Sequence, residues 1–203
     1  VLNVANIEDW AKKIKPDLYT SDLGFDVSAD YNSQELIHST ANMGQIISGM
    51  CCLKEGGSLI TKQYTFFLSF TASLMLVVCD CFKEAYITKP TSSKPDNSET
   101  YLVGIGFLPE KFAKYKKLML DKIDEKADII YKEFPEDFIK CLEKASDLIY
   151  KQQIEKIKNN VNLYNEIRNN PNYKAIIEAK NNKSVIDEWK KRISIKPIMN
   201  NII

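Results

Sequence analysis

The segment KPTSSKPDNSETYLVGIGF, Lys89 to Phe107, follows directly on EAYIT, Glu84 to Thr88. Both EAYIT and TYLVGIGF are rich in β-branched and aromatic residues, so two successive strands are predicted, Glu84–Thr88 and Thr100–Phe107. A hairpin between them would need only about two to five connecting residues. The connection instead carries Pro90, Pro95, Lys94, Asn97, a series of hydroxyls and the carboxylate of Glu99, placed where the second strand begins. A loop with that surplus of polar groups is a candidate for function.

Upstream, the pattern alternates between helix and strand. Ile7, Trp10, Ala11 and Ile14 fall at three and four spacing, which predicts a short amphipathic helix from Asn6 to Ile14, capped by Asn6 and stopped by Pro16. DLYTSD (Asp17–Asp22) reads as a strand that ends on a carboxylate and opens into the glycine-containing LGFDVS. Open α/β sheets build their sites at such carboxyl ends. Asn32 and Glu35 have capping-box spacing before a helix from Ser33 to about Leu53, with Leu36, Thr40, Met43, Ile47 and Met50 as its expected buried stripe. After Gly56 and Gly57, SLITK makes a strand ending on Lys62, and an almost uniformly apolar helix follows from Ser69 to Phe82. The predicted order is helix, strand, helix, strand, helix, strand, strand.

Beyond Leu108 the reading is helical: Glu110–Phe134, Glu136 to about Asn169, and Tyr173–Ile193, with Pro109, Pro135 and Pro171 at helix starts. Composition changes at the same point. Residues 1–107 hold 8 Lys and Arg against 12 Asp and Glu, net −4, whereas residues 108–203 hold 20 against 15, net +5. Two regions are therefore expected, 1–107 and 108–203. The basic tail suits either a solvated helical face or a nucleic-acid surface.

The five cysteines form no CxxC pair, which argues against a disulfide framework and a zinc site. Cys51, Cys52, Cys79 and Cys81 lie in apolar helical segments and are expected to be reduced core thiols of an intracellular protein. No signal peptide is expected at the start of the chain. The most apolar run, Phe66–Cys79, is shorter than the roughly 20 residues that cross a membrane. His38 is the single histidine, so no Ser/His or Cys/His catalytic pair is expected; a surface or partly buried helix position is. Tyr31 and Asn32 suit either RNA contact or capping of the helix that follows.

Asp22, Lys62 and Glu99 stand where strands end or begin. If the first two strands are parallel and the last is antiparallel to them, all three meet at one rim. A lysine there can act as a base toward a hydroxyl. Solvated strand ends are the plainer meaning of such charges.

SDLGFDVSADYNSQE (Ser21–Glu35), GGSLITKQYTFF (Gly56–Phe67) and KPTSSKPDNSETYLVGIGF together resemble the FtsJ-like ribose 2′-O-methyltransferases, above all the cap-methylating branch and the enzymes of large cytoplasmic DNA viruses of the African swine fever type. The resemblance covers about residues 1–107, with a weaker likeness around YKQQIE (Tyr150–Glu155). It implies an α/β fold, the carboxy-terminal part of a Rossmann-like methyltransferase sheet from about its fourth strand onward, followed by an α-helical extension. It also implies S-adenosylmethionine as cofactor and RNA, with capped mRNA expected, as substrate.

By the same resemblance, three of the family's Lys-Asp-Lys-Glu tetrad map onto Asp22, Lys62 and Glu99. Asp22, Leu23 and Gly24 would meet the cofactor, and Asn32, Ser93, Lys94, Asn97 and Ser98 the RNA. Leu23 stands where the family has a glycine, and Lys94 where it more often has arginine. The tetrad's first lysine and the Gly-rich cofactor turn have no counterpart, so the missing amino-terminal half of the same protein is an expected partner and the fragment alone is expected to be inactive. Two carboxylates beside a lysine favour its ammonium form, and the absent lysine and cofactor charge would offset them. The alternative is a catalytically inactive methyltransferase-fold subunit that binds RNA or acts as a scaffold; ribosomal RNA is a rival substrate. The tail can bind RNA, pack beneath the core or hold a partner subunit. The viral likeness implies a cytoplasmic or virion location, with no membrane partner.

Overall fold

The computed structural model describes residues 2–124, 131, 133–169 and the single positions 172, 175, 178 and 187. Helix α1 (Val4–Lys13) begins earlier than its apolar spacing suggested. Asn3, not Asn6, is its cap, and the Asn3 side chain accepts the Asn6 N–H at 2.9 Å. Strand β1 (Leu18–Ser21) follows, and a 3₁₀ turn at Tyr31–Ser33 leads into α2 (Gln34–Cys52). Then come β2 (Ser58–Gln63), α3 (Ser69–Cys81), β3 (Phe82–Thr88), β4 (Thr100–Phe107), α4 (Pro109–Asp124) and α5 (Glu136–Asn169). The expected helix over Tyr173–Ile193 falls almost wholly outside the described residues; the one expected over Glu110–Phe134 is helical to Asp124, and Tyr131, Glu133 and Phe134, the residues described beyond that point, are not helical.

The sheet has strand order β1-β2-β4-β3, with β1 and β2 parallel and β4 antiparallel to both of its neighbours. Its two faces differ. Because side chains alternate along a strand, the register sets Tyr19, Leu59, Thr61, Leu102 and Ala85 on one face and Thr20, Ile60, Lys62, Val103 and Tyr86 on the other. The first face is covered: α2 and α3 pack on it and on each other, and α4 packs on both helices. Leu59 and Thr61 are wholly buried there, with Leu102 and Gln63 nearly so.

The opposite face is open, leaving Leu18, Tyr86 and Ile105 exposed and Ile60 and Val103 half-buried among the described residues. Apolar side chains on an uncovered sheet face mark a surface that another element can cover.

Helix α2 sits close to the sheet because Gly49 has no side chain; a Cβ there would lie 2.4 Å from Leu59 Cδ1. The helix buries Met43, Ile47 and Met50 as its spacing predicts, but Leu36 is exposed. The positions that face inward in that first turn and the next are polar, Glu35 and His38. Cys51, Cys52 and Cys81 are buried, while Cys79, expected in the core, is exposed, as is Cys141. Burial pushes the Cys81 thiol up to about 12 and that of Cys51 up to about 11.

The chain divides into two compact units, Val1–Lys89 with Ser98–Leu148, and Pro90–Asn97 with Ile149–Ile203. The compositional boundary at Phe107 lies within the first unit, because α4 packs on the core helices. In the second unit, Pro90–Asn97 is grouped with the later part of α5. No helix among the described residues is long and apolar enough to cross a membrane.

Candidate active site

Parallel β1 and β2 end at the same edge of the sheet, and antiparallel β4 starts there. Ser21 pairs with Thr61, and Lys62 pairs with Tyr101. Lys62 and its partner Tyr101 lie on the open face, Glu99 shares their parity just before β4, and Asp22, one residue past β1, continues that face, while Tyr64, one residue past β2, has its ring 4.5 Å from that of His38 on α2. The topology therefore brings the three ionisable residues predicted from sequence to one rim.

Side-chain contacts define the rim further. The Tyr101 hydroxyl donates to Glu99 Oε1 at 3.3 Å. Burial raises the Tyr101 pKa above its ordinary 10.0, and the negative charge of Glu99, that hydrogen bond and the charge of Asp22 raise it further. Both carboxylates therefore act on the phenol opposite Lys62. Lys62 Nζ lies 5.9 Å from the centre of the Tyr64 ring. It makes no ion pair with Asp22 or Glu99 among the described residues. Thr100, itself buried, donates to the Tyr64 carbonyl at 3.0 Å and ties the two strand ends together. Lys89 Nζ donates to the Glu99 carbonyl at 2.8 Å.

The turn after β1 is built by close approach. A Cβ on Gly24 would lie 2.8 Å from the Tyr64 hydroxyl oxygen and 3.3 Å from Lys62 Nζ. The missing side chain is what lets these two groups reach the turn. Leu23, at the position where the resemblance implies a glycine, needs no left-handed backbone: no non-glycine residue among those described has a positive φ. Asp22 and Gly24 are exposed, so a ligand has access to this edge.

Helix α2 holds the rim from behind. Gln45, wholly buried, accepts from the Ser21 hydroxyl at 2.6 Å and the Leu23 N–H at 3.0 Å, on either side of Asp22. Its own amide donates to Asn42 at 3.2 Å. His38 is also wholly buried, deeper than the surface or partly buried position expected of it. Its Nε2 accepts the Phe25 N–H at 2.8 Å, and Nδ1 donates to the Gln34 carbonyl at 2.8 Å, which fixes the tautomer.

Glu35 does not close a capping box. Its carboxylate accepts from the Thr65 hydroxyl and the N–H groups of Phe67 and Leu68 at 2.8, 3.0 and 2.8 Å, pinning the segment after β2. The Gln34 side chain accepts from the Ser98 hydroxyl at 3.0 Å, next to Glu99. Asp30 caps the preceding 3₁₀ turn, accepting from the Asn32 N–H and the Ser33 hydroxyl, while Ser33 stands at the α2 N-cap without a side-chain cap bond and the Asn32 side chain is exposed.

The remaining loop residues belong to the second unit. Ser93, Lys94 and Asn97 occupy two successive turns, closed by the Ser93 N–H on the Pro90 carbonyl at 3.0 Å and the Asn97 N–H on the Lys94 carbonyl at 3.3 Å. The Ser93 hydroxyl donates to Asn97 Oδ1 at 3.4 Å, and Lys94 is exposed. No group of three His, Cys, Asp or Glu among the described residues is arranged to hold a metal ion.

Sequence reasoning did not single out Tyr64, Tyr101, Gln34, Gln45 or the true partners of Glu35. The two tyrosines carry a faint signal, sharing Lys62's and Glu99's parity on adjacent strands. The α2 side chains carry none, because their partners are 22 to 64 residues distant in sequence.

An α/β sheet with basic, acidic and phenolic side chains collected at the carboxyl ends of its parallel strands is the architecture of a Rossmann-like enzyme domain. Residues 1–107 match the family described as FtsJ-like methyltransferase, and the chain belongs to that family. It is 43% identical over 124 residues to the probable methyltransferase EP424R of African swine fever virus, covering 60% of this chain and 29% of that protein. It is 31% identical over 111 residues to the cap-specific mRNA (nucleoside-2′-O-)-methyltransferase 1 of Caenorhabditis elegans, covering 55% of this chain and 12% of that one. Over 178 residues it is 27% identical to the cap-specific mRNA (nucleoside-2′-O-)-methyltransferase 2 of Drosophila melanogaster, covering 81% of this chain and 25% of that one. The chain thus spans less than a third of the length of each of these relatives.

Proposed function

We propose that this chain carries the proton-accepting side of an RNA ribose 2′-O-methyltransferase acting in the cytoplasm on capped mRNA. The observation that carries the reading is the register of β2 on β4, which sets Lys62 opposite Tyr101 while Tyr101 holds Glu99, at the edge where Asp22 emerges. Family membership supports methyl transfer, and the cap-specific 2′-O-methyltransferases among the relatives support the ribose hydroxyl of capped mRNA.

In this reading Lys62 Nζ takes the proton of the target 2′-hydroxyl as that oxygen becomes a nucleophile. Asp22 and Glu99 orient the ammonium that results, and the Tyr101 hydroxyl keeps Glu99 aimed inward. The edge formed by exposed Asp22 and Gly24 with half-buried Leu23 would hold one side of S-adenosylmethionine, whose role is to supply the electrophilic methyl group. Asn32, Ser98 and the loop residues Ser93, Lys94 and Asn97 would meet the RNA, Lys94 as a point charge on phosphate. The open sheet face, with Leu18, Ile60, Val103 and Ile105, supports a further element packed there, which we assign to a cofactor-binding half of the same protein.

The test is methyl transfer from labelled S-adenosylmethionine by the full-length protein to an oligoribonucleotide with and without a cap. Label at a 2′-oxygen of the capped RNA alone is expected. Equal labelling of both RNAs would move the substrate away from caps. RNA binding without cofactor binding or transfer would replace the enzyme by an inactive RNA-binding subunit.

A further inference from the structure

Asp96 is an odd residue for a loop that is to meet RNA, since an outward carboxylate repels phosphate. Within the second unit its position is fixed by α5. Gln153 Nε2 donates to the Asp96 carbonyl at 3.2 Å, and Asn160 Nδ2 donates to Asp96 Oδ2 at 2.9 Å. Gln153, Lys156 and Asn160 recur at three and four spacing and are all half-buried, so one face of the helix holds the loop. One amide grips the backbone and the other the carboxylate. Together they anchor the second of the two loop turns, and Ser93 to Asn97 links it to the first.

We propose that α5 is the positioning element of the RNA loop: Asn160 and Gln153 turn the Asp96 carboxylate onto the helix and hold Ser93, Lys94 and Asn97 in their binding conformation. The proposal rests on the RNA-methyltransferase reading above and gives the helical extension a role in substrate engagement. Two consequences follow from charge and entropy. A carboxylate engaged by an amide is removed from the path of phosphate, while Lys94 stays exposed. A loop ordered before RNA arrives loses less freedom on binding.

The pair can be tested by reversal in the full-length protein. Asn160→Asp sets carboxylate against carboxylate. Asp96→Asn combined with Asn160→Asp restores a donor and an acceptor with their positions exchanged. Amide exchange over residues 91–97 reads the loop, and anisotropy with a capped oligoribonucleotide, together with KM and kcat for methyl transfer, reads its consequence.

Expected are faster exchange and about tenfold weaker RNA binding and higher KM in Asn160→Asp, with kcat unchanged and both effects reversed in the double variant. Unchanged exchange in Asn160→Asp would overturn the proposal, as would faster exchange without loss of RNA affinity, or a double variant as impaired as the single one. If the wild-type protein transfers no methyl group, the enzymatic reading fails, and exchange and RNA affinity decide the clamp by the same criteria.

Discussion

Gly24 shows how much of the rim depends on a single atom's absence. A methyl group there would meet the Tyr64 hydroxyl and Lys62 Nζ, both far ends of side chains that can swing away. The turn has no positive φ at Gly24 to strain. Gly24→Ala is therefore expected to leave thermal stability within about 0.5 kcal/mol of wild type while displacing the proposed base and lowering kcat about a hundredfold. Parallel measurement of the unfolding free energy and of single-turnover methyl transfer checks both halves of that expectation. At this scale the sequence was informative wherever a residue sat at the end of a strand. Lys62 and Glu99 could be picked out because SLITK and TYLVGIGF read as strands, one ending on Lys62 and the other beginning just after Glu99. Tyr101 could not, since its place opposite Lys62 depends on a pairing register that alternation alone does not specify.

Among the elements, α2 does most to position the others, and its polar side chains are what the helical pattern hid. Glu35, His38 and Gln45 read as solvent-facing types, yet all are buried, each bonded to a segment that leaves a strand. A hydrophobic period predicts which turn faces inward; it cannot say that the inward residue will be a histidine bonded to a distant amide. Gln45→Leu would leave the Leu23 N–H and the Ser21 hydroxyl without an acceptor, at a cost of about 1–3 kcal/mol per buried group. Denaturant unfolding should show that loss, and amide exchange at Leu23 should accelerate.

Asp80 joins α3 to α4 by accepting from the Tyr115 hydroxyl at 2.8 Å and from Lys111 at 3.2 Å. The Tyr115 bond, then that of Lys111, holds its pKa below the ordinary 3.8. A depressed carboxyl stabilises the fold above its unfolded pKa, and the contribution disappears as pH falls through the folded value. Asp80 is partly solvated, so the effect is modest. Wild type should melt above Asp80→Asn at pH 7, and the difference should shrink as pH falls below the ordinary 3.8 and through the lowered folded value.

For the molecule as a whole, the sheet explains both what is present and what remains uncovered. Two helices, backed by a third, cover one face, and the other offers Leu18, Ile60, Val103 and Ile105 to a partner element. Ile105→Lys should change the stability of the 203-residue chain by less than about 0.5 kcal/mol, because the site is already 42% exposed. In the full-length protein the same change should cost about 2 kcal/mol or more, through a charge buried under the half proposed to pack there. Comparison of the two unfolding transitions decides whether that face is covered. The α/β order and the rim were readable from strand patterns and motif spacing. The grouping of Pro90–Asn97 with the later part of α5 was not, because it depends on side-chain amides from the region whose composition suggested only a solvated face.

The central claim is that Lys62 serves as the base, and not merely as a charge. It is tested most directly by single-turnover methyl transfer to a capped oligoribonucleotide in full-length wild-type protein, Lys62→Ala and Lys62→Arg. Arginine keeps the charge but cannot give up its proton. A loss of about a hundredfold or more in both variants, with RNA affinity retained, is predicted. Near-wild-type transfer by Lys62→Arg would contradict the account.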